Sequence, residues 1–362
     1  MGKQQKIFFD FLRFCIDSES EISASLKDAD LKELYVIARK QCLVGVLFDG
    51  IKKLPAEHVG MEKELLLQWM AESQMLEKTN VRLNDAAIQV SEWFQKKGFR
   101  TCILKGQGNA LMYPNPYSRT PGDIDIWVEG GDNRVISFVR SISPHEKACY
   151  HHIEFPSYKG VEVEVHYRPS FLLCFWHNRK LQKYYEKVQE EQFSHRVMLG
   201  EQGEIAIPTE EFNLIFQLTH IFTHLMNEGI GLRQLLDYYF VLSLLSVNYE
   251  MLTSLQKELK ELGLWKFAGA IMYIMQEVFG MPASRLIVPP NEKYGKIVLN
   301  EVLEAGNFGK HDERNRFGKS QLGHNLQRVY RDMRLVTYFP AEALSEPIFR
   351  VWHFFWRMKN KK

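Results

Sequence analysis

The chain lacks a strong bias of charge. Its 362 residues carry 46 basic and 44 acidic side chains, a net charge of +2. That excludes a strongly basic binder of polyanions and leaves only local patches for such a role. Cysteine is scarce: five residues, odd in number and without CxxC spacing. Cys15, Cys42, Cys102, Cys149 and Cys174 sit mostly among apolar neighbours, which reads as reduced thiols in a reducing compartment. No long apolar run stands out. The most apolar late stretch, Leu264–Met281, is interrupted by Lys266, Gln276 and Glu277 and reads as a core helix rather than a membrane span. Near the start, Asp10, Arg13 and Asp17 break the apolar patch at helical spacing, against a signal peptide. Internal repeats and low-complexity tracts are also missing. These absences point to a cytoplasmic protein with no membrane partner.

What is present is ordinary for a globular chain: 45% hydrophobic and 25% charged residues. The length suits two domains, or one domain with a large embellishment. Patterning divides it into three parts, 1–98, 99–208 and 209–362. The first is helical in period, with Ile7, Phe8, Phe11, Leu12 and Cys15 on one stripe and Leu65, Leu66, Trp69 and Met70 on another. From Met61 to Lys97 the pattern predicts one long or two abutting helices, stopped by Gly98. The middle part changes period. Short β-branched runs occupy Thr101–Leu104, Asp123–Val128, Ile153–Phe155 and Val161–His166, with weaker ones at Arg196–Leu199 and Glu204–Ile207. Helical pieces such as Asn133–Ser141 separate them, predicting a small mixed sheet with helices on one face. In the last part the helical period returns at 210–228, 231–246, 249–262, 264–280, 291–305, 320–337 and 347–359. Gly306–Gly323 has no period and reads as a long loop. The aromatic and basic C-terminus, Phe349–Lys359, is expected to bury its aromatics and end in solvated lysines. The fold class is therefore α+β, a small mixed-sheet core flanked by N-terminal helices and a larger C-terminal helical region.

Three constellations carry chemistry. After the strand Thr101–Leu104, Lys105-Gly106-Gln107-Gly108 opens a short helical piece whose free N–H groups and positive dipole end suit a phosphate. A tight turn needing positive φ explains the glycines equally well. Next, Arg119-Thr-Pro-Gly leads into Asp123-Ile-Asp125-Ile. Alternation on a strand points both carboxylates to one face, where their repulsion becomes useful only around a cation. Arg119 can counter their charge or grip a phosphate bidentately. Third, Val161-Glu-Val-Glu-Val-His sets Glu162, Glu164 and His166 on one face. A third carboxylate there would complete a site for one or two metal ions.

The order of strand, glycine turn, short helix, Asp-hydrophobic-Asp strand and later carboxylate strand resembles the polymerase-beta-like nucleotidyltransferase superfamily. More closely, LKG…R-x-x-GDIDIWV, Tyr150-His-His-Ile-Glu-Phe and Glu164-Val-His166-Tyr-Arg168 resemble a bacterial family of uncharacterised nucleotidyltransferases. The helical segment His220-x-x-x-His224 to Asp237 fits as well, and the resemblance covers roughly residues 25–260. It implies Mg²⁺ (or Mn²⁺) on Asp123, Asp125 and a third carboxylate at Glu164, with Glu162 as the other choice. It also implies an NTP as donor and an acceptor that is a small molecule, a protein or an RNA. Lys105, Gly106, Gln107, Gly108 and Arg119 would bind the nucleotide. Two departures stand out: Gln107 replaces the usual Ser or Gly of the turn, and glutamate stands at 164 where aspartate is more frequent.

His166, His224, Arg233 and Asp237 are read as cleft residues. The pair His220/His224 has the i, i+4 spacing of a zinc site but lacks the glutamate of HExxH. Lining a cleft or pairing with Asp237 is the plainer reading. Two further readings stand beside nucleotidyl transfer. One is a metal-dependent phosphohydrolase on His151, His152, His166, His220 and His224. The other is a non-catalytic scaffold with a degenerate site.

Overall fold

Three short helices open the chain: α1 (Lys3–Ile16), α2 (Leu31–Lys40) and α3 (Val44–Lys53). The coordinates, a computed structural model, describe residues 3–17, 30–54, 61–201, 203–246, 248–312, 314 and 321–360. Asp30 starts α2 by accepting hydrogen bonds from the backbone N–H groups of Lys32 and Glu33. The pattern over 61–97 folds as one helix, α4 (Lys63–Lys96), 34 residues long. Its rise makes it about 51 Å long, and its two halves serve different cores. Trp69 packs among the N-terminal helices, whereas Leu83, Ala87, Val90 and Phe94, spaced along one stripe, lie on the back of the sheet.

The sheet has four strands, β1 (Thr101–Ile103), β2 (Ile124–Val128), β3 (His152–Tyr158) and β4 (Val161–His166), in the order β1-β2-β4-β3. β2 runs antiparallel to β1 and parallel to β4, and β3 closes the other edge antiparallel to β4. Between β1 and β2 lie the single-turn helix α5 (Gln107–Ala110) and a 3₁₀ turn, Pro116–Ser118. Helix α6 (Gly131–Ile142) follows β2. Ile124, Ile126, Val163 and Val165 point into a core with α4 and α6. The opposite parity leaves Asp125, Glu164, His166 and His152 together on the other face.

Helix α7 (Phe175–Ser194) has no counterpart in the sequence reading. Its residues are mostly polar, and the signal lies in Leu181, Tyr185, Val188 and Gln192, an i, i+4, i+7, i+11 stripe. β5 (Arg196–Leu199) and β6 (Gly203–Ala206) form a separate hairpin. The helices α8 (Glu210–Asn227), α9 (Leu232–Leu244), α10 (Tyr249–Glu261), α11 (Trp265–Phe279) and α12 (Glu292–Ala305) match the sequence expectation closely. They share one apolar core with α1, α2 and α3.

The expected loop after residue 306 begins with a 3₁₀ turn, Asn307–Gly309, in which Phe308 holds φ 54°. Residues 313 and 315–320 of that loop lie outside the described residues. Helix α13 (Gln321–Leu335) follows, then α14 (Pro340–Lys359), which starts seven residues before the expected 347. Pro340 occupies its first turn, and Pro347 sits inside the helix rather than at its start. The expectation for its aromatics needs correction. Phe349 is buried, but Phe354 and Phe355 are 52% and 63% exposed. They face solvent rather than the core. Among the described residues no helix is long and apolar enough to cross a membrane.

Candidate active site

The sheet face builds the site by register. Asp125 on β2 and Glu164 on β4 are direct cross-strand partners, and His152 on β3 faces His166 on β4. Asp123 stands just before β2. One ligand oxygen from each of Asp123, Asp125 and Glu164 lies within 4.8 Å of the others. Glu162 is exposed and takes no part in this group.

Asp125 is only 2% exposed. Its Oδ1 accepts from Lys105 Nζ at 3.1 Å and contacts His166 Nε2 at 3.0 Å. Its Oδ2 is buried and has no hydrogen-bond partner among the described residues. Burial opposes the charge of Asp125, yet Lys105 and His166 outweigh it and hold the carboxyl below the usual range. Asp123 bears the cost of that arrangement. The neighbouring Asp125 charge, then burial, push its carboxyl up to about 6. For Glu164 burial is again the largest influence, overcome by its hydrogen bond with His166, so its carboxyl is lowered.

The cations respond in kind. Burial disfavours a charged His166, but Asp125 and Glu164 raise it to about 9. Lys105 is raised by Asp125, Asp123 and Glu164 against the effect of burial. Lys105 also lies 3.1 Å from His220 Nε2, and burial followed by Lys105 keeps His220 neutral, its value well below the ordinary one. Beyond Glu164 the groups continue: His152 Nδ1 is 3.4 Å from Glu164 and 3.1 Å from His151 Nε2. Burial lowers His152 to about 4 and holds His151 well below the ordinary imidazole value.

Asp237 anchors the opposite wall from α9. Arg119 donates to it through Nε and Nη2, both at 2.8 Å, and Tyr113 donates at 2.7 Å. Asn109 adds a contact at 3.3 Å and itself accepts from Gln217. The fork of Arg119, expected on a phosphate, is thus spent on Asp237. Neither His220 nor His224 pairs with Asp237; His224 Nδ1 instead lies 3.9 Å from Glu228. Arg233 donates to the carbonyl of Thr120 at 3.0 Å, while its Nε is buried without a hydrogen-bond partner among the described residues. That guanidinium lines the same narrow cleft as Lys105, Gly106, Asp123 and Asp125.

The glycine turn also differs from expectation. Gly106 has φ +63°, which favours glycine. The Gln107 side chain turns away from the site, buried against α4, where it donates to Asn84 Oδ1 and the Asn80 carbonyl. Gly108 meets Ile207: a Cβ there would lie 3.0 Å from its methyl carbon. Both positions therefore serve packing, and the helix they open is a single turn.

Two openings flank the carboxylates. The narrow cleft of about 40 Å³ lies between Lys105, Arg233 and Phe308. A cavity of about 340 Å³ lies on the imidazole side, lined by His151, His152, His220 and His224. His220 borders both. Sequence reasoning missed Asn109, Tyr113 and Phe308. It named His152 only for the phosphohydrolase reading, and the pairing of β3 with β4 sets it beside Glu164.

The carboxylate geometry can hold a divalent cation, and the unpartnered Oδ2 of Asp125 is the atom that most needs one. A comparison with curated proteins gives no match. Among solved structures the chain is similar to an antigenic nucleotidyltransferase-like protein from Paracoccidioides brasiliensis. Identity is 13% and the TM-score 0.33, over 59% of this chain and 95% of that one. Residues 27–280, well over half of the sequence, match the family described as uncharacterised nucleotidyltransferase, and the chain belongs to that family.

Proposed function

We propose that the protein is a metal-dependent nucleotidyltransferase that moves a nucleoside monophosphate from an NTP to an acceptor, releasing pyrophosphate. The observation that carries this reading is the convergence of Asp123, Asp125 and Glu164 around an unpartnered carboxylate oxygen. Mg²⁺ or Mn²⁺ held by these three would neutralise phosphate charge and make an acceptor hydroxyl more acidic. The chain's own residues do the rest by position and charge.

Lys105 keeps Asp125 ionised and stands at the mouth of the narrow cleft, where it can meet a phosphate oxygen. Arg233, with a buried unpaired Nε, is the stronger phosphate clamp. Arg119 and Asp237 act at one remove, fixing the segment that leads to Asp123. The amides at Gly106–Gly108 remain available as weaker donors. Glu164 lies 3.4 Å from His152, which lines the imidazole-lined cavity, and would orient the acceptor from that side. Neutral His152 and His220 border the path between donor and acceptor without adding charge.

The test is incubation with α-labelled NTPs, Mg²⁺ and a cell extract, comparing wild type with Asp123→Ala/Asp125→Ala. Label transferred by the wild type alone is the expected result; equal labelling with both proteins would sink the reading. One observation favours a second reading. His152, Glu164 and His166 also bring ligand atoms within 4.8 Å, as do Cys149, His151 and His152. A phosphohydrolase would use these groups, bind zinc and stay active in Asp123→Ala.

A further inference from the structure

The imidazole-lined cavity does not end at the histidines. It shares Asn227, Glu228, Arg328, Arg350 and His353 with a wider cleft of about 1180 Å³ between α13, α14 and the end of α8. Four arginines line that cleft, Arg328, Arg331, Arg350 and Arg357, against one carboxylate, Glu228. In a chain of net charge +2 this is a concentrated positive region.

Arg331 is the telling member. It is 4% exposed, yet among the described residues it has no hydrogen-bond or ion-pair partner. Of the carboxylates that act on it, Glu301 is bound by Arg314 and Arg334 and Asp312 by Arg314, which leaves Glu228 on the cleft wall as its remaining counter-charge. Its guanidinium lines the cleft, where an anion would supply an acceptor. Arg350, by contrast, is held by Glu346.

The spacing indicates the ligand. Arg350 and Arg357 are two turns apart on α14, roughly 10 Å along the axis, a spacing that spreads positive charge along the cleft rather than at one point. Exposed Phe354 and Phe355 lie on the same lining. Arginines that track a chain of charges, interleaved with aromatic faces, suit single-stranded nucleic acid. A small phosphorylated metabolite would leave most of this volume empty.

We infer that this cleft seats a single-stranded phosphodiester chain whose end enters the histidine-lined cavity and reaches Glu164. The inference rests on the transferase reading and gives it an acceptor. Arg328, Arg331 and Arg357 engage successive phosphates, and Phe354 and Phe355 stack on bases.

Fluorescence anisotropy on the full chain tests it, with short unstructured oligoribonucleotides and oligodeoxyribonucleotides carrying a 5′ fluorophore. Binding should weaken as salt rises, and the tighter of the two strands identifies the source. Arg328→Glu and Arg357→Glu, at a partly exposed and an exposed position, should each weaken binding roughly tenfold and flatten the salt slope. Arg331→Met should do the same with unchanged circular dichroism. Phe354→Ala/Phe355→Ala should weaken binding roughly tenfold with the salt slope unchanged.

No oligonucleotide binding, binding indifferent to the charge reversals, or equal binding of heparin with no effect of the phenylalanine pair would overturn the inference. Calorimetric titration of an NTP with Mg²⁺ into the same variants separates the two ideas. Intact NTP binding beside absent strand binding removes only the acceptor. Strand binding without NTP binding removes only the transferase.

Discussion

Arg119 grips Asp237 through two parallel hydrogen bonds of 2.8 Å, joining the segment ahead of β2 to helix α9 across 118 residues of sequence. Both side chains are buried. The pair therefore fixes the distance between the two walls of the candidate active site.

Removing either partner leaves a buried charge without a counter-ion. Arg119→Ala or Asp237→Ala should each cost about 3–5 kcal/mol in unfolding by denaturant. The double mutant should cost less than the sum of the two. Strict additivity in that cycle would mean that the pair does not act as a unit.

The elevated Asp123 carboxyl, at about 6, is caused first by the charge of Asp125. Asp125→Asn should return Asp123 toward the ordinary value of about 3.9. A ¹³C-detected NMR titration of the Asp123 carboxyl reads this directly. An Asp123 value that stays near 6 in Asp125→Asn would assign the shift to burial instead.

Stability should fall on both sides of neutrality. His151 and His220 are held well below the ordinary imidazole value and His152 at about 4. Folded, they stay neutral; unfolded, they take up protons below about pH 6.5, so stability is lost as pH falls through that range. His166 has the opposite sign. Its folded value is raised to about 9, so its contribution is complete below about 6.5 and lost as pH rises through 9. Urea unfolding at pH 5, 7 and 9 should show both limbs. His166→Gln should flatten the alkaline limb and leave the acid one.

A steric test addresses how the segment before β2 is seated. A Cβ on Gly45 of α3 would lie 2.3 Å from the backbone oxygen of Ser118, next to Arg119. Gly45→Ala should destabilise by about 1–3 kcal/mol and weaken NTP binding along with it. Unchanged thermal unfolding would show that α3 and the Pro116–Ser118 turn are not in close contact.

Much of this was legible before the fold was known. Alternation in Asp123-Ile-Asp125-Ile and in Val161-Glu-Val-Glu-Val-His assigns faces by geometry alone, and the sheet follows that parity. The helical period located α8 to α12 within a few residues. What stayed hidden depends on long-range pairing. Nothing local links Arg119 to Asp237 or Lys105 to His220, so a guanidinium expected on a phosphate proved to be bound within the protein. Helix α7 was missed because its stripe of Leu181, Tyr185 and Val188 is thin among charged neighbours. Pro347 marked a false helix start, since a proline inside α14 reads locally like one at its first turn. Phe354 and Phe355 were expected in the core because their composition does not reveal which side of α14 faces solvent.

Lys105 and His166 are built-in counter-ions for Asp125. Their charges offset the repulsion among the carboxylates, so a cation is not the sole counter-charge that holds this face together. Proteins whose metal supplies their folding energy collapse when it is withdrawn. Here a chelator should silence the chemistry while leaving the thermal unfolding curve almost where it was.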